Sequence, residues 1–157
     1  MIPVSNPRKA YESEKAEILE TMERVLDAGQ YIGGKEVESF ENEFANYLGV
    51  SGSVGVGSGT DALRIGLLSC GIQPSDEVLT VSNTAVATVA AIESIGAIPV
   101  LVDIEPATFN LDPSKLAQAL THKTRAVVAV HLYGYPVNVD AIQAFCKEHD
   151  LKFVEDC

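Results

Sequence analysis

The sequence predicts an α/β protein with a mainly parallel sheet covered by helices on both faces. Three observations carry this. Short β-rich runs alternate with helical patterns from Ser53 to the last residue. The runs are apolar almost throughout, as strands covered on both sides must be, and do not alternate with polar residues. The chain has 157 residues, 46% hydrophobic and 21% charged, which suits one folded domain with a sizeable core and argues against disorder.

Taken in order, Glu12 to Ala28 carries Ile18, Leu19, Met22, Val25 and Leu26 at helical spacing, and Gly29 supplies a stop. The link "GQYIGG" leads to a second amphipathic helix with Val37, Phe40, Phe44 and Leu48 on one stripe, closed by Gly49. Strands are then expected at "SVGV", "EVLTVS", "IPVLVDI", "RAVVAVHLY" and "LKFVED", with helices near 60–70, 84–95, 113–120 and 138–148. Residues 1–50 thus form an N-terminal helical segment and 51–157 a series of βα repeats. There is no internal repeat, low-complexity stretch or linker, so no second complete domain is expected.

Acidic residues number 22 against 11 basic ones, a formal net charge of -11, and no Lys/Arg cluster offers a footprint for phosphate backbones. Nucleic acid and anionic membrane are therefore not expected partners. The opening "MIPVSNPRKAYESEK" lacks the apolar core of a secretory leader, and no apolar run approaches membrane-spanning length, so a cytoplasmic location is the default expectation. Cys70, Cys146 and Cys157 are odd in number and widely spaced, with no metal-ligand pattern; no metal site is expected.

In open α/β sheets ligands bind outside the carboxyl ends of the strands. The polar residues just after each apolar run are Ser58–Asp61, Ser82–Thr84, Asp103, His131–Tyr133 and Glu155–Asp156. "VGVGSGTDAL" puts a small-residue turn before a helix, whose first amides would point outward along a favourable dipole. Two readings of it stand: a phosphate cradle to which Ser58 and Thr60 add hydroxyls, or a tight turn with a Ser/Thr cap. A dinucleotide fingerprint is disfavoured, because Thr60 stands where its third glycine belongs and Asp76 and Glu77 precede the next strand instead of ending it.

Asp156 leaves an apolar strand at the ligand-binding edge. A carboxylate there is costly unless paired, and a cationic ring nitrogen such as that of pyridoxal phosphate would pair with it; the alternative is an ordinary turn acid. A lone histidine such as His131 is more often packed and hydrogen-bonded than catalytic. His122 and His149 are expected in solvent, and Asp103 is expected to cap its loop.

Five runs, "YIGGKEVESFENEFANYLGV", "VGVGSGTDALRIGLLSCGI", "DEVLTVSNTAVATVAAIESIGAIPVLVDIEPATFNLD", "AVVAVHLYGYPVNVDAI" and "KFVEDC", resemble in unbroken order the DegT/StrS-type sugar aminotransferases. The resemblance covers about residue 28 to the last. It implies part of the large domain of a fold type I pyridoxal-phosphate-dependent transferase. It implies that Gly59, Thr60 and Asp61 hold the cofactor phosphate and that Asp156 pairs with the pyridine nitrogen. Where many members carry a ring-stacking aromatic, this chain has Ala85, which leaves stacking to Asn83 or to another subunit. By the same resemblance, the lysine that forms the Schiff base and the small C-terminal domain are expected beyond Cys157.

The activity implied is transfer of an amino group, typically from glutamate, to a nucleotide-linked keto-sugar. A related sugar dehydratase and a non-catalytic fragment are the alternatives. The family builds its sites at a homodimer interface, to which the Tyr31–Gly34 link would contribute, and His131 would line the same cleft on the substrate side.

Overall fold

The computed structural model describes residues 5–157; the first four residues of the opening stretch lie outside the described residues. The chain divides into two compact units, Met1–Gly55 and Val56–Cys157.

The first unit holds α1 (Pro7–Ala28) and α2 (Lys35–Leu48). α1 starts before Glu12, the expected start, because Asn6 caps it by accepting from the Lys9 amide at 3.3 Å and Pro7 needs no amide partner at the first position. Gly29 and Gly49 end the two helices in the left-handed conformation, φ 67° and 68°. The Arg24 guanidinium meets Glu36 at 2.9 Å, tying the start of α2 to α1. On α2, Phe40 and Phe44 stack at 5.6 Å between ring centres.

The expected strand at Ser53–Val56 does not form. Its polar groups are used locally instead: Ser53 Oγ donates to the Glu41 carbonyl and the Gly55 amide donates to the Glu41 carboxylate, both at 2.7 Å. Among the described residues no strand pairs with it.

The second unit runs α3 (Gly59–Ser69), β1 (Glu77–Val81), α4 (Val86–Ser94), β2 (Ile98–Val102), a short 3-10 turn into α5 (Leu116–Ala119), β3 (Thr124–Val130), α6 (Val139–Glu148) and β4 (Lys152–Asp156). The strands form one sheet in the order β2-β1-β3-β4, every pair parallel. Parallel pairing requires a crossover between neighbours, and the helices supply it on both faces as expected.

One face packs Val78, Ala126 and Val128 against Leu63, Leu67, Ala91 and Ile92 of α3 and α4. The other packs Leu79, Val81, Val127 and Ala129 against Leu116, Ile142 and Cys146 of α5 and α6. Strand residues therefore alternate between two dry layers, which is why the runs read as continuously apolar. Among the described residues no helix is long and apolar enough to cross a membrane.

Candidate functional site

Because all four strands are parallel, their carboxyl ends share one edge, and the polar residues after β1, β2, β3 and β4 gather there. α3 ends at the opposite edge: its C-terminal segment leads to Ser75, whose amide donates to the Gly96 carbonyl just before β2. The N-terminus of α3 therefore faces the carboxyl edge.

At that N-terminus Ser58 is the cap. Its Oγ accepts from the Asp61 amide at 3.1 Å and donates to Asp61 Oδ2 at 3.2 Å. The amides of Gly59 and Thr60 and the Thr60 hydroxyl have no acceptor or donor among the described residues, and a Cβ built on Gly59 would meet nothing within 4 Å. Two unpaired amides, a free hydroxyl and open space at a helix N-terminus form a cradle for an anion. The Asp61 amide donates to Ser58 Oγ, and its carboxylate pairs with Arg64 at 3.7 Å.

Asp156 ends β4. It pairs in register with Val130, and its carbonyl accepts from the His131 amide at 2.9 Å, so the backbone is fixed against β3. Its Oδ2 accepts from Thr88 Oγ1 at 2.7 Å, and Thr88 Oγ1 lies 2.8 Å from Thr84 Oγ1. Oδ1 receives no protein donor among the described residues. Thr88, fully buried in the first turn of α4, was not singled out in the sequence. Its one local mark is a hydroxyl four residues after Thr84 among the small and apolar residues that open α4; nothing local pairs it with Asp156.

The remaining residues fall as follows. His131 is largely buried; its Nδ1 accepts from the Val137 amide at 3.3 Å, which places the proton of the neutral ring on Nε2, 4.0 Å from Glu155. It is packed and hydrogen-bonded, as expected, and adjacent to Asp156. Asn83 donates to the Phe109 carbonyl at 3.0 Å, so its amide braces the loop after β2. Ala85 is the exposed N-cap of α4 and makes no capping bond. Asp103 caps its loop by accepting from the Ile104 amide and pairs with Lys115 at 3.4 Å; these hold its carboxyl below the usual range. His122 is exposed, while His149, also exposed, leans on Phe145 with ring centres 4.5 Å apart. In the first unit, Tyr31 is exposed and donates its hydroxyl to the Leu26 carbonyl at 3.2 Å. Among the described residues no cluster of His, Cys, Asp or Glu could hold a metal.

Residues 12–157 match the DegT/DnrJ/EryC1/StrS aminotransferase family. The chain belongs to this family. It is 45% identical over 147 residues to the dTDP-3-amino-3,4,6-trideoxy-alpha-D-glucose transaminase of Micromonospora megalomicea subsp. nigra, covering 94% of this chain and 39% of that one. Its fold matches S. venezuelae DesV, solved in complex with a ketimine intermediate, with TM-score 0.96 and 42% identity over 99% of this chain and 42% of that one. It matches Bacillus subtilis NtdA, solved with bound cofactor PMP, with TM-score 0.90 and 38% identity over 92% of this chain and 33% of that one. The chain thus spans well under half the length of these relatives. The architecture is that of fold type I pyridoxal-phosphate aminotransferases, and the family depends on that cofactor.

The DegT/StrS residues of this chain suit that group chemically. A phosphate fits a cradle whose Gly59 leaves the space of a Cβ empty, and a cationic ring nitrogen fits a carboxylate with one oxygen held and the other free. One feature opposes it: the Asp61 carboxylate stands near the phosphate site, with its charge partly balanced by Arg64.

Proposed function

We propose that this chain forms the cofactor-binding part of an aminotransferase that moves an amino group from glutamate to a nucleotide-linked keto-sugar. The observation that carries the reading is Asp156, a carboxylate at the carboxyl edge with one oxygen fixed by a buried threonine and the other free, in the same unit and at the same edge as the α3 cradle.

Gly59 and Thr60 would bind the phosphate of pyridoxal phosphate through their amides and the Thr60 hydroxyl, with the α3 dipole adding attraction. Asp156 Oδ1 would accept from the protonated ring nitrogen and hold the proton there. When bound, the cofactor supplies an electron sink and carries the amino group between donor and acceptor. Asn83 keeps the loop after β2 in place at the mouth of the site, and His131 fixes the end of β3 beside Asp156. The lysine that would bond the cofactor covalently is placed beyond Cys157 by the family resemblance alone, and Asp156 has no part in that bond. A cytoplasmic location, a homodimer and a contribution of Tyr31 to a neighbouring site belong to the same proposal. The transaminase relatives named above support it.

Pyridoxamine phosphate tests the site without needing a lysine. It should bind the cofactor-free protein roughly 100-fold more tightly than pyridoxamine, the order expected for a few charge-assisted hydrogen bonds to a phosphate. Thr60→Val should narrow that ratio. Equal affinity for the two ligands would contradict the cradle. For the reaction, the complete enzyme given glutamate and a dTDP-linked 3-keto-sugar should release 2-oxoglutarate over many turnovers, whereas glutamate alone should release no more than one equivalent per cofactor.

A further inference from the structure

Thr88 is fully buried and 68 positions from Asp156 in sequence, yet its hydroxyl lies 2.7 Å from one carboxylate oxygen. An ionised carboxylate only accepts, so Thr88 must donate to it. With its proton committed, Thr88 Oγ1 can only accept from Thr84 Oγ1, 2.8 Å away. The hydrogen-bond direction is thereby set along the whole chain, from Thr84 to Thr88 to Asp156. Thr88 also sits in the first turn of α4, whose unpaired amide end favours a nearby negative charge.

We propose that Thr84 and Thr88 form a positioning relay for Asp156, one that fixes its rotamer, turns Oδ1 toward the cofactor nitrogen and strengthens its hold on that nitrogen. This deepens the cofactor reading given above and rests on it. Thr88 touches no substrate or cofactor atom; it acts through Asp156. Polarised hydroxyl chains of this kind strengthen each member, and the buried hydroxyl has no other acceptor. A capping or packing role alone would also place a threonine here, so the test must read the ring nitrogen.

The native protein, freed of cofactor, is titrated by calorimetry with pyridoxamine phosphate and with its 1-deaza analogue, in which a ring C–H replaces the nitrogen. The wild type should prefer the nitrogen-bearing ligand. Thr88→Val, nearly isosteric, should cut that preference about tenfold, the order of one hydrogen bond to a charged group, while changing analogue affinity little. Thr88→Ser should restore it, and in an Asp156→Asn background Thr88→Val should have no further effect on the preference. Equal weakening of both ligands, or none of either, would overturn the relay while leaving the Asp156 contact standing. A wild type with no preference would overturn the contact itself, and the relay with it. Should Thr88→Val fail to fold, Thr84→Val carries the same test: a smaller loss of preference supports the relay, and an unchanged preference overturns it.

Discussion

Gly96 adopts φ 78°, and a Cβ there would lie 3.1 Å from the Pro74 Cβ. Gly96→Ala therefore meets both a left-handed backbone and a stiff neighbour, and should destabilise the fold by roughly 1–3 kcal/mol, read as a lower urea midpoint at unchanged slope. Cys146, almost wholly buried between α6 and the sheet, has its thiol pushed up to about 11. The neutral thiol is the form the core accepts, so its contribution to stability is full below pH 9.0, the ordinary thiol value, and is lost as pH rises toward about 11. Iodoacetamide at pH 8 should accordingly label Cys146 only after denaturant is added. Asp156 was legible in the sequence because an acid ending an apolar strand demands a partner. Thr88 was not, since its use depends on a contact 68 residues away that no local pattern encodes.

Helices showed their ends through chemistry that is local. Gly29 and Gly49 gave correct stops because a left-handed cap is a single-residue property. The start of α1 came earlier than its apolar pattern, because Asn6 and Pro7 act before the first residue of that pattern. Ser53–Val56 looked like a strand by composition, but strands exist by pairing, and Glu41 takes its polar groups instead. On α3, Ser58 fills one of the open amide positions that the sequence assigned to phosphate. Ser58→Ala should cost about 1 kcal/mol of stability through the lost cap, while Ser58→Gly should cost only a few tenths, and thermal melts of the two variants would show it.

Across the molecule, parallel strand order places every strand's carboxyl end on one edge, so a handful of residues scattered over a hundred positions meet without any local signal of proximity. The doubly covered sheet was legible from continuous apolar runs; the order β2-β1-β3-β4 was not, because runs of similar composition do not encode their neighbours. The formal charge of -11 opposes an anionic ligand at long range. The association rate of pyridoxamine phosphate, followed by stopped flow, should rise as salt is raised from about 10 mM to 150 mM, where charges beyond about 8 Å are largely screened. The central claim is that one end of the cofactor sits on α3 and the other on β4. A crystal structure of the protein with pyridoxamine phosphate tests it most directly. The account predicts phosphate oxygens within hydrogen-bond distance of the Gly59 and Thr60 amides and the ring nitrogen on Asp156 Oδ1, with Thr88 still on Oδ2. A phosphate bound away from α3, or a ring nitrogen facing any group other than Asp156, would contradict it.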